Sequence, residues 1–199
     1  MSDETLLIDS KIYLKSGIHI GTKFQTKYMN KFIYKIRSDG LKVLNLQQID
    51  ERINVMINFL SQYEPEEILF VCRRENGWKS VKKMSEMTGI KVIAGRYPPG
   101  IMTNPNLKNY VEKKILIVAD PWPDRNAIND AMMIGIPVIG LCDTNNQSNN
   151  LDLVIPCNNK GKKSLGLLVY LVTRGYMVKK GMIKSEKEFK AELDDFSDE

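Results

Sequence analysis

The side chains best able to do chemistry in this sequence are cations that follow apolar runs. Arg73 and Arg74 follow ILFVC, Arg96 follows KVIAG, Arg125 comes shortly after KILIVA, and Lys160, Lys162 and Lys163 follow LDLVIP. Short, continuous apolar runs read as strands covered on both faces. In a parallel sheet, side chains just past the strand ends converge on one edge, where ligands gather. These cations, set in loops rich in Asn, Pro and Gly, therefore suggest an anion-binding edge. A helix starting near Ser164 would add its dipole to that edge.

The familiar catalytic signatures fail one by one. No G-x-G-x-x-G follows a strand. Gly161-Lys162-Lys163-Ser164 looks like the end of a phosphate loop, but such a loop requires glycine where Cys157 and Lys162 stand. His19 is the only histidine; it lies in the irregular segment GIHIG without partners for a nucleophilic triad, and a packed or backbone-bonded imidazole is the preferred reading. Asp120 and Asp143 follow strands, where metal-binding and ribose-binding acids also occur. Turn initiation and helix capping explain both more simply. Cys72, Cys142 and Cys157 each end an apolar run, as small core hydrophobes do, and without a C-x-x-C pair they suggest neither zinc nor a disulfide framework.

A second cationic group lies nearer the amino terminus. Lys23, Lys27, Lys31 and Lys35 recur at every fourth residue, with Phe24, Tyr28 and Phe32 one position behind, and Arg37 follows. Alternation from Phe32 onward argues against one continuous helix. As an extended or flexible basic stretch with interleaved aromatics, the segment suits phosphate contacts and base stacking. The alternative, in which the aromatics are core and the lysines merely solvated, stays open.

Charge is unevenly spread. Overall net charge is +5. Residues 184–199 hold seven acids against three lysines, which leaves +9 on residues 1–183. Between Lys11 and Lys42 eight basic residues face the single acid Asp39. A basic body suggests a polyanionic partner, with a solvated lysine-rich face as the alternative. The acidic segment 184–199 carries few apolar residues and is expected to be disordered or marginally helical. No apolar run approaches the ~20 residues needed to cross a bilayer, and MSDETLL is unlike a secretory leader. The expectation is a cytoplasmic protein with a single domain over residues 1–183.

The elements that must position these groups are legible from periodicity. Residues 3–16 predict a helix, with Ser2 or Asp3 as its cap. GIHIGTKFQTKYMN reads as an irregular connector, and residues 32–46 as a hairpin turning at Asp39-Gly40. Ile49, Ile53, Met56, Ile57 and Leu60 mark one face of a helix. Then ILFVC, KVIAG, KILIVA, IPVIGLC and LDLVIP predict strands, with helices near 79–88, 126–134 and 163–178. Repeated strand–helix units predict an α/β fold: a doubly wound parallel sheet of about five strands flanked by helices and joined by right-handed crossovers. Only DTNNQSNN joins the last two strands, which is short for a parallel crossover and leaves the direction of the final strand open.

Several longer blocks together resemble one family. GIHIGT, YKIRSDGLKVLNLQQIDERI, IAGRYPPGIMTNP, DPWPDRNAINDAMMIGIPVIGLCDTNN and LDLVIPCNNKGKKSLGLLVYLVTRG are similar, in order and spacing over roughly residues 5–180, to the second protein of the ribosomal small subunit. The resemblance is to the archaeal branch, with the eukaryotic laminin-receptor-precursor branch a near relative. The helical hairpin that bacterial members insert after the segment matching MTNP is missing here, and so is the long carboxyl extension of eukaryotic members. Trp122-Pro123 stands where relatives tend to carry a short charged or small pair.

The resemblance implies a flavodoxin-like sheet with the hairpin appended, no catalytic activity, no cofactor, no small-molecule substrate and no membrane contact. It implies small-subunit ribosomal RNA and neighbouring small-subunit proteins as partners, near the junction of head and body. The candidate RNA contacts are then Lys23, Lys27, Lys31, Lys35, Arg37, Arg73, Arg74, Arg96, Arg125, Lys160, Lys162 and Lys163. Two rivals remain: a phosphosugar- or nucleotide-binding enzyme of the same topology, and a free protein-interaction module.

Overall fold

The computed structural model describes residues 6–197. Helix α1 (Ser10–Ser16) leads into the connector, then a hairpin of β1 (Ile33–Ile36) and β2 (Lys42–Leu44), then helix α2 (Leu46–Leu60). The main sheet contains β3 (Ile68–Cys72), β4 (Lys91–Ala94), β5 (Ile115–Val118), β6 (Val138–Cys142) and β7 (Leu153–Pro156), with α3 (Trp78–Thr88), α4 (Arg125–Ile134) and α5 (Lys162–Lys179) between and after them. Its strands run in the order β4-β3-β5-β6-β7, and every neighbouring pair is parallel. That is the order of the flavodoxin-like sheet the resemblance implies, with its topological switch point between β3 and β5.

Strand periodicity explains why the apolar runs are unbroken. Ile68, Phe70 and Cys72 point into one core with Ile115, Ile117, Ile139 and Leu141, beneath α2, α3 and α5. Leu69 and Val71 point to the opposite face, joining Leu116, Val118 and Val138 beneath Ala127, Ile128 and Ala131 of α4. Both faces are dry, so neither phase of the alternation can be polar. On the second face the loop residues Tyr97, Ile101 and Met102 complete the cover. Asp130 fixes that loop to α4 by accepting from Tyr97 Oη at 2.8 Å and the Gly100 backbone N–H at 2.7 Å.

Two expectations need adjustment, and one question left open is answered. The first helix starts at Ser10, capped by Asp9, whose carboxylate accepts from the Lys11 backbone N–H at 2.9 Å. The preceding backbone is committed elsewhere: Leu7 N–H donates to Asp50 at 3.0 Å, and its carbonyl accepts from Arg174 at 2.9 Å. Ser2 and Asp3 lie outside the described residues. The last strand is parallel to β6 although no helix separates them. The acidic segment is not detached over its described part. Phe196 is 1% exposed within the main core, and Tyr170 of α5 packs edge-on against Phe189 at 5.3 Å and Phe196 at 5.6 Å.

Candidate nucleic-acid interface

At the floor of the crevice beyond β3 and β5, where this topology commonly binds a ligand, the buried carboxylates are paired with the protein's own side chains. Asp120, just past β5, is 1% exposed. It accepts from Arg74 Nε at 2.6 Å, from Asn146 Nδ2 at 2.9 Å and from the Trp122 backbone N–H at 3.1 Å. Asn146 in turn accepts from the Asp143 backbone N–H at 2.7 Å and from Asn159 at 3.0 Å. Asp143, also 1% exposed, pairs with Lys160 at 2.9 Å, and Lys160 donates again to Asn145 at 3.0 Å. Buried carboxylates left without such partners would be strongly destabilising. Arg74 and Lys160, two of the candidate phosphate contacts, are thereby committed to anchoring strand ends.

The connector is equally fixed. Thr144, at the carboxyl end of β6, accepts from the Thr22 backbone N–H at 2.9 Å, donates its hydroxyl to the Phe24 carbonyl at 2.9 Å and accepts from the Thr26 N–H, also at 2.9 Å. Gly21 is required where it stands, because a Cβ there would lie 2.4 Å from the Thr144 methyl. On the other flank Asn158 N–H donates to the Ile18 carbonyl at 2.8 Å. The segment GIHIGT is therefore a strap tied across the strand-end loops rather than a flexible arm. It carries Lys23 and Lys27 into the same region as the Asn145–Asn150 loop, where Thr26 Oγ1 donates to the Asn146 carbonyl at 2.9 Å.

The remaining candidates differ in their freedom. Lys23, Lys27, Lys31, Lys35, Arg37, Arg73, Arg96, Arg125, Lys162 and Lys163 are all exposed. Lys31 lies over the Tyr28 ring, 3.7 Å from its centroid. Arg37 approaches Asp39 at 3.6 Å, a surface pair worth little in water. Lys162 and Lys163 open α5, adding fixed charge to the positive end of that helix. The aromatic series divides, which settles the alternative left open by the sequence in a mixed way. Phe32 is core, whereas Phe24 is 77% exposed and Tyr28 is also largely on the surface.

Arg73, Arg74, Trp122, Pro123, Arg125 and Asn126 line an open depression of ≈ 600 Å³ at the switch point. Trp122 is 78% exposed and was no candidate from sequence, although a Pro-Trp-Pro run between a strand and a helix was a visible signal. Beneath the depression Asp124 is buried, and burial pushes its carboxyl up to about 7. Neither of its oxygens accepts a hydrogen bond, and the pull of the nearby Arg73 and Asp120 backbone N–H groups toward the charged form is outweighed by burial.

The other titratable groups are structural. Burial pushes the Cys72 thiol up to about 12 and raises Cys142 and Cys157 as well, which keeps all three protonated and poorly nucleophilic. Burial lowers the His19 imidazole below its ordinary value, so it carries no fixed charge toward a polyanion at neutral pH. Asp120 and Asp143 serve the ion pairs described above, in keeping with a structural rather than chemical role.

Taken together, the fold and its edge define a class: a parallel α/β scaffold whose strand-end carboxylates are consumed by internal ion pairs and whose rim carries exposed cations. Comparison with known proteins gives the family. Residues 13–115 and 105–178 match the family described as Ribosomal protein S2. The chain is 47% identical over 196 residues to "Small ribosomal subunit protein uS2" of Methanococcus maripaludis, covering 98% of this chain and 88% of that one. It is 45% identical over 196 residues to the protein of the same name from Picrophilus torridus, covering 98% of each. A third, from Nanoarchaeum equitans, is 44% identical over 190 residues, covering 96% of this chain and 94% of its own length. The chain belongs to the ribosomal protein S2 family, in its archaeal form.

Proposed function

We propose that the protein is a structural constituent of the small ribosomal subunit, in the cytoplasm, binding ribosomal RNA and neighbouring small-subunit proteins without catalysing a reaction. The observation that carries this reading is the division of labour at the strand ends. Arg74 and Lys160 neutralise buried Asp120 and Asp143, while Arg73, Arg125, Lys162, Lys163 and the strap lysines Lys23 and Lys27 stay exposed. A cationic rim around an open depression suits a rigid block docked on phosphates. It suits a small-molecule enzyme poorly, because the carboxylates at the strand ends are consumed by ion pairs.

The mechanism is positioning. Each phosphate neutralised by Lys or Arg releases counterions, which supplies affinity and a steep salt dependence. Phosphate contacts fix orientation without reading sequence, and the folded domain then presents its other surfaces to neighbouring proteins. Cosedimentation with isolated small subunits at low salt, lost at high salt, is the expected result. A protein that stays in the supernatant at every salt concentration contradicts the proposal.

A further inference from the structure

Trp122 has no role in the fold. It is 78% exposed, and its indole lies between two depressions. One is the arginine-lined hollow with Arg73 and Arg125. The other, of ≈ 480 Å³, is lined by amides including Asn129, Asn145, Gln147, Asn149 and Asn150. A large indole left in water forgoes the burial that stabilises most tryptophans, so its exposure calls for a ligand rather than a packing explanation.

The ring is also held for binding. Pro121 and Pro123 restrict the backbone on either side. The Trp122 N–H donates to Asp120 at 3.1 Å, and Asp120 is itself clamped by Arg74 and Asn146. Arg73 donates to the Pro123 carbonyl at 3.4 Å, and its side chain lines the same hollow as the indole. No acid lines the arginine hollow. Of the carboxyls behind it, Asp120 is neutralised by Arg74, and Asp124 is buried, with its carboxyl pushed up to about 7.

We propose that Trp122 is a stacking platform for one unpaired nucleotide of RNA, with Arg73 and Arg125 taking the adjoining phosphates and the Asn145–Asn150 amides facing the base edge. The proposal rests on the RNA-binding reading and deepens it by naming a single-stranded feature as what this edge receives. Each group matches a part of the ligand. A flat indole offers a π-face to any base, guanidinium groups suit phosphate, and amides both donate to and accept from base edges. A protein partner would also use Trp and Arg, but the pairing of two exposed arginines with an amide-rich wall favours a nucleotide. Duplex RNA offers no such feature, since its bases are stacked inside the helix.

The test compares the full chain with W122A, W122F and the double variant Arg73→Gln/Arg125→Gln. The probes are a single-stranded adenylate oligomer of about a dozen nucleotides and a blunt RNA duplex of about sixteen base pairs, both followed by fluorescence anisotropy. For the single strand, W122A should lose about tenfold in affinity with its salt slope unchanged, because stacking releases no counterions, while W122F keeps most of the affinity. The arginine variant should flatten the slope. For the duplex, W122A should match the parent. The proposal is overturned if W122A binds the single strand as the parent does, or if it weakens single strand and duplex equally. Failure of the parent to bind either RNA would instead sink the broader RNA-binding reading. Each residue changed is exposed, so circular dichroism should show a folded protein throughout.

Discussion

Leu151 lies directly over Gly140: a Cβ on that glycine would come within 2.6 Å of Leu151 Cδ1. Gly140 sits mid-strand in β6, and Leu151 belongs to the short crossover that returns from β6 to β7. Ten residues without a helix can join parallel strands here because the chain runs close against the sheet. It is fixed at the bottom by Asp152, which bonds through its backbone N–H to the Val138 carbonyl at 2.9 Å and through its carboxylate to the Val138 N–H at 2.8 Å.

G140A should therefore overpack the crossover and destabilise the protein by about 1–3 kcal/mol. In that background Leu151→Ala should recover part of the loss. Urea denaturation of the four proteins in a double-mutant cycle measures the coupling, expected above ~0.5 kcal/mol for residues in contact. Strictly additive energies would mean that the two side chains do not compete for the same space.

Two adjacent arginines should behave as opposites. Arg74→Met strands Asp120 as an uncompensated buried charge, a change that costs about 3–5 kcal/mol when the pair is fully buried. Arg74 is partly open, with a side chain 31% exposed, so the lower end is expected. Arg73→Gln should stay within about 0.5 kcal/mol of the parent, as exposed substitutions do. Chemical denaturation of both variants checks this, and equal losses would refute the assignment of Arg74 as anchor and Arg73 as contact.

Asp124 gives a pH dependence of defined sign. Its carboxyl ordinarily titrates near 3.8, and burial pushes it up to about 7 in the folded protein. Between those values the folded state keeps a proton that the unfolded chain has released. This group's contribution therefore falls as pH rises from about 4 to about 7, and it levels off above. Asp124→Asn should remove that loss. Its Tm advantage over the parent should be several degrees larger at about pH 8 than at about pH 4.5, given ~2–4 °C per kcal/mol for a chain of this size. A Tm difference that is the same at both pH values argues that the carboxyl is ionised throughout.

The acidic segment supplies a fourth test. Phe196 packs on Tyr170, and Lys79 donates to the carbonyls of Asp194 at 3.3 Å and Ser197 at 2.9 Å. Phe196→Ala should cost about 3 kcal/mol, the low end for a buried Phe, because a terminal segment can leave rather than enclose a cavity. Limited proteolysis should then cut within residues 184–197 well before the parent is cut. Unchanged protection would mean that Phe189 and the backbone contacts alone hold the segment.

What the sequence disclosed follows the range of the interactions involved. The five parallel strands were legible because their apolar runs pack on both faces, fully in β3, β5 and β6 and partly at the edge strand β4, so local composition alone marks them. The hairpin was legible because Asp39-Gly40 supplies its turn, with Gly40 at φ +85°. The true start of α1 was not, because it depends on Leu7 bonding to Asp50 and Arg174, far along the chain. Nor was the docking of Phe196, which needs Tyr170 and Phe189 as partners in a segment that looks too polar to order.

The same logic governs the interface. Sequence placed Arg73, Arg74, Arg96, Arg125, Lys160, Lys162 and Lys163 at one edge, and in the structure each follows the carboxyl end of a parallel strand or opens the helix after it. It could not tell Arg74 and Lys160 from the rest, since their consumption depends on Asp120 and Asp143, 46 and 17 positions away. It read residues 17–30 correctly as irregular but did not show that they are tied down as a strap, because Thr144, which holds them, lies about 120 positions distant.

Affinity for small-subunit ribosomal RNA as a function of salt tests the central claim most directly, comparing the parent with a variant carrying glutamine at Lys23, Lys27, Arg73, Arg125, Lys162 and Lys163. The parent should show a steep linear fall of log affinity with log salt. The variant should bind more weakly, with a slope shallower by about 0.7–0.9 for every phosphate contact removed. Coincident lines for the two proteins would show that this edge does not face RNA.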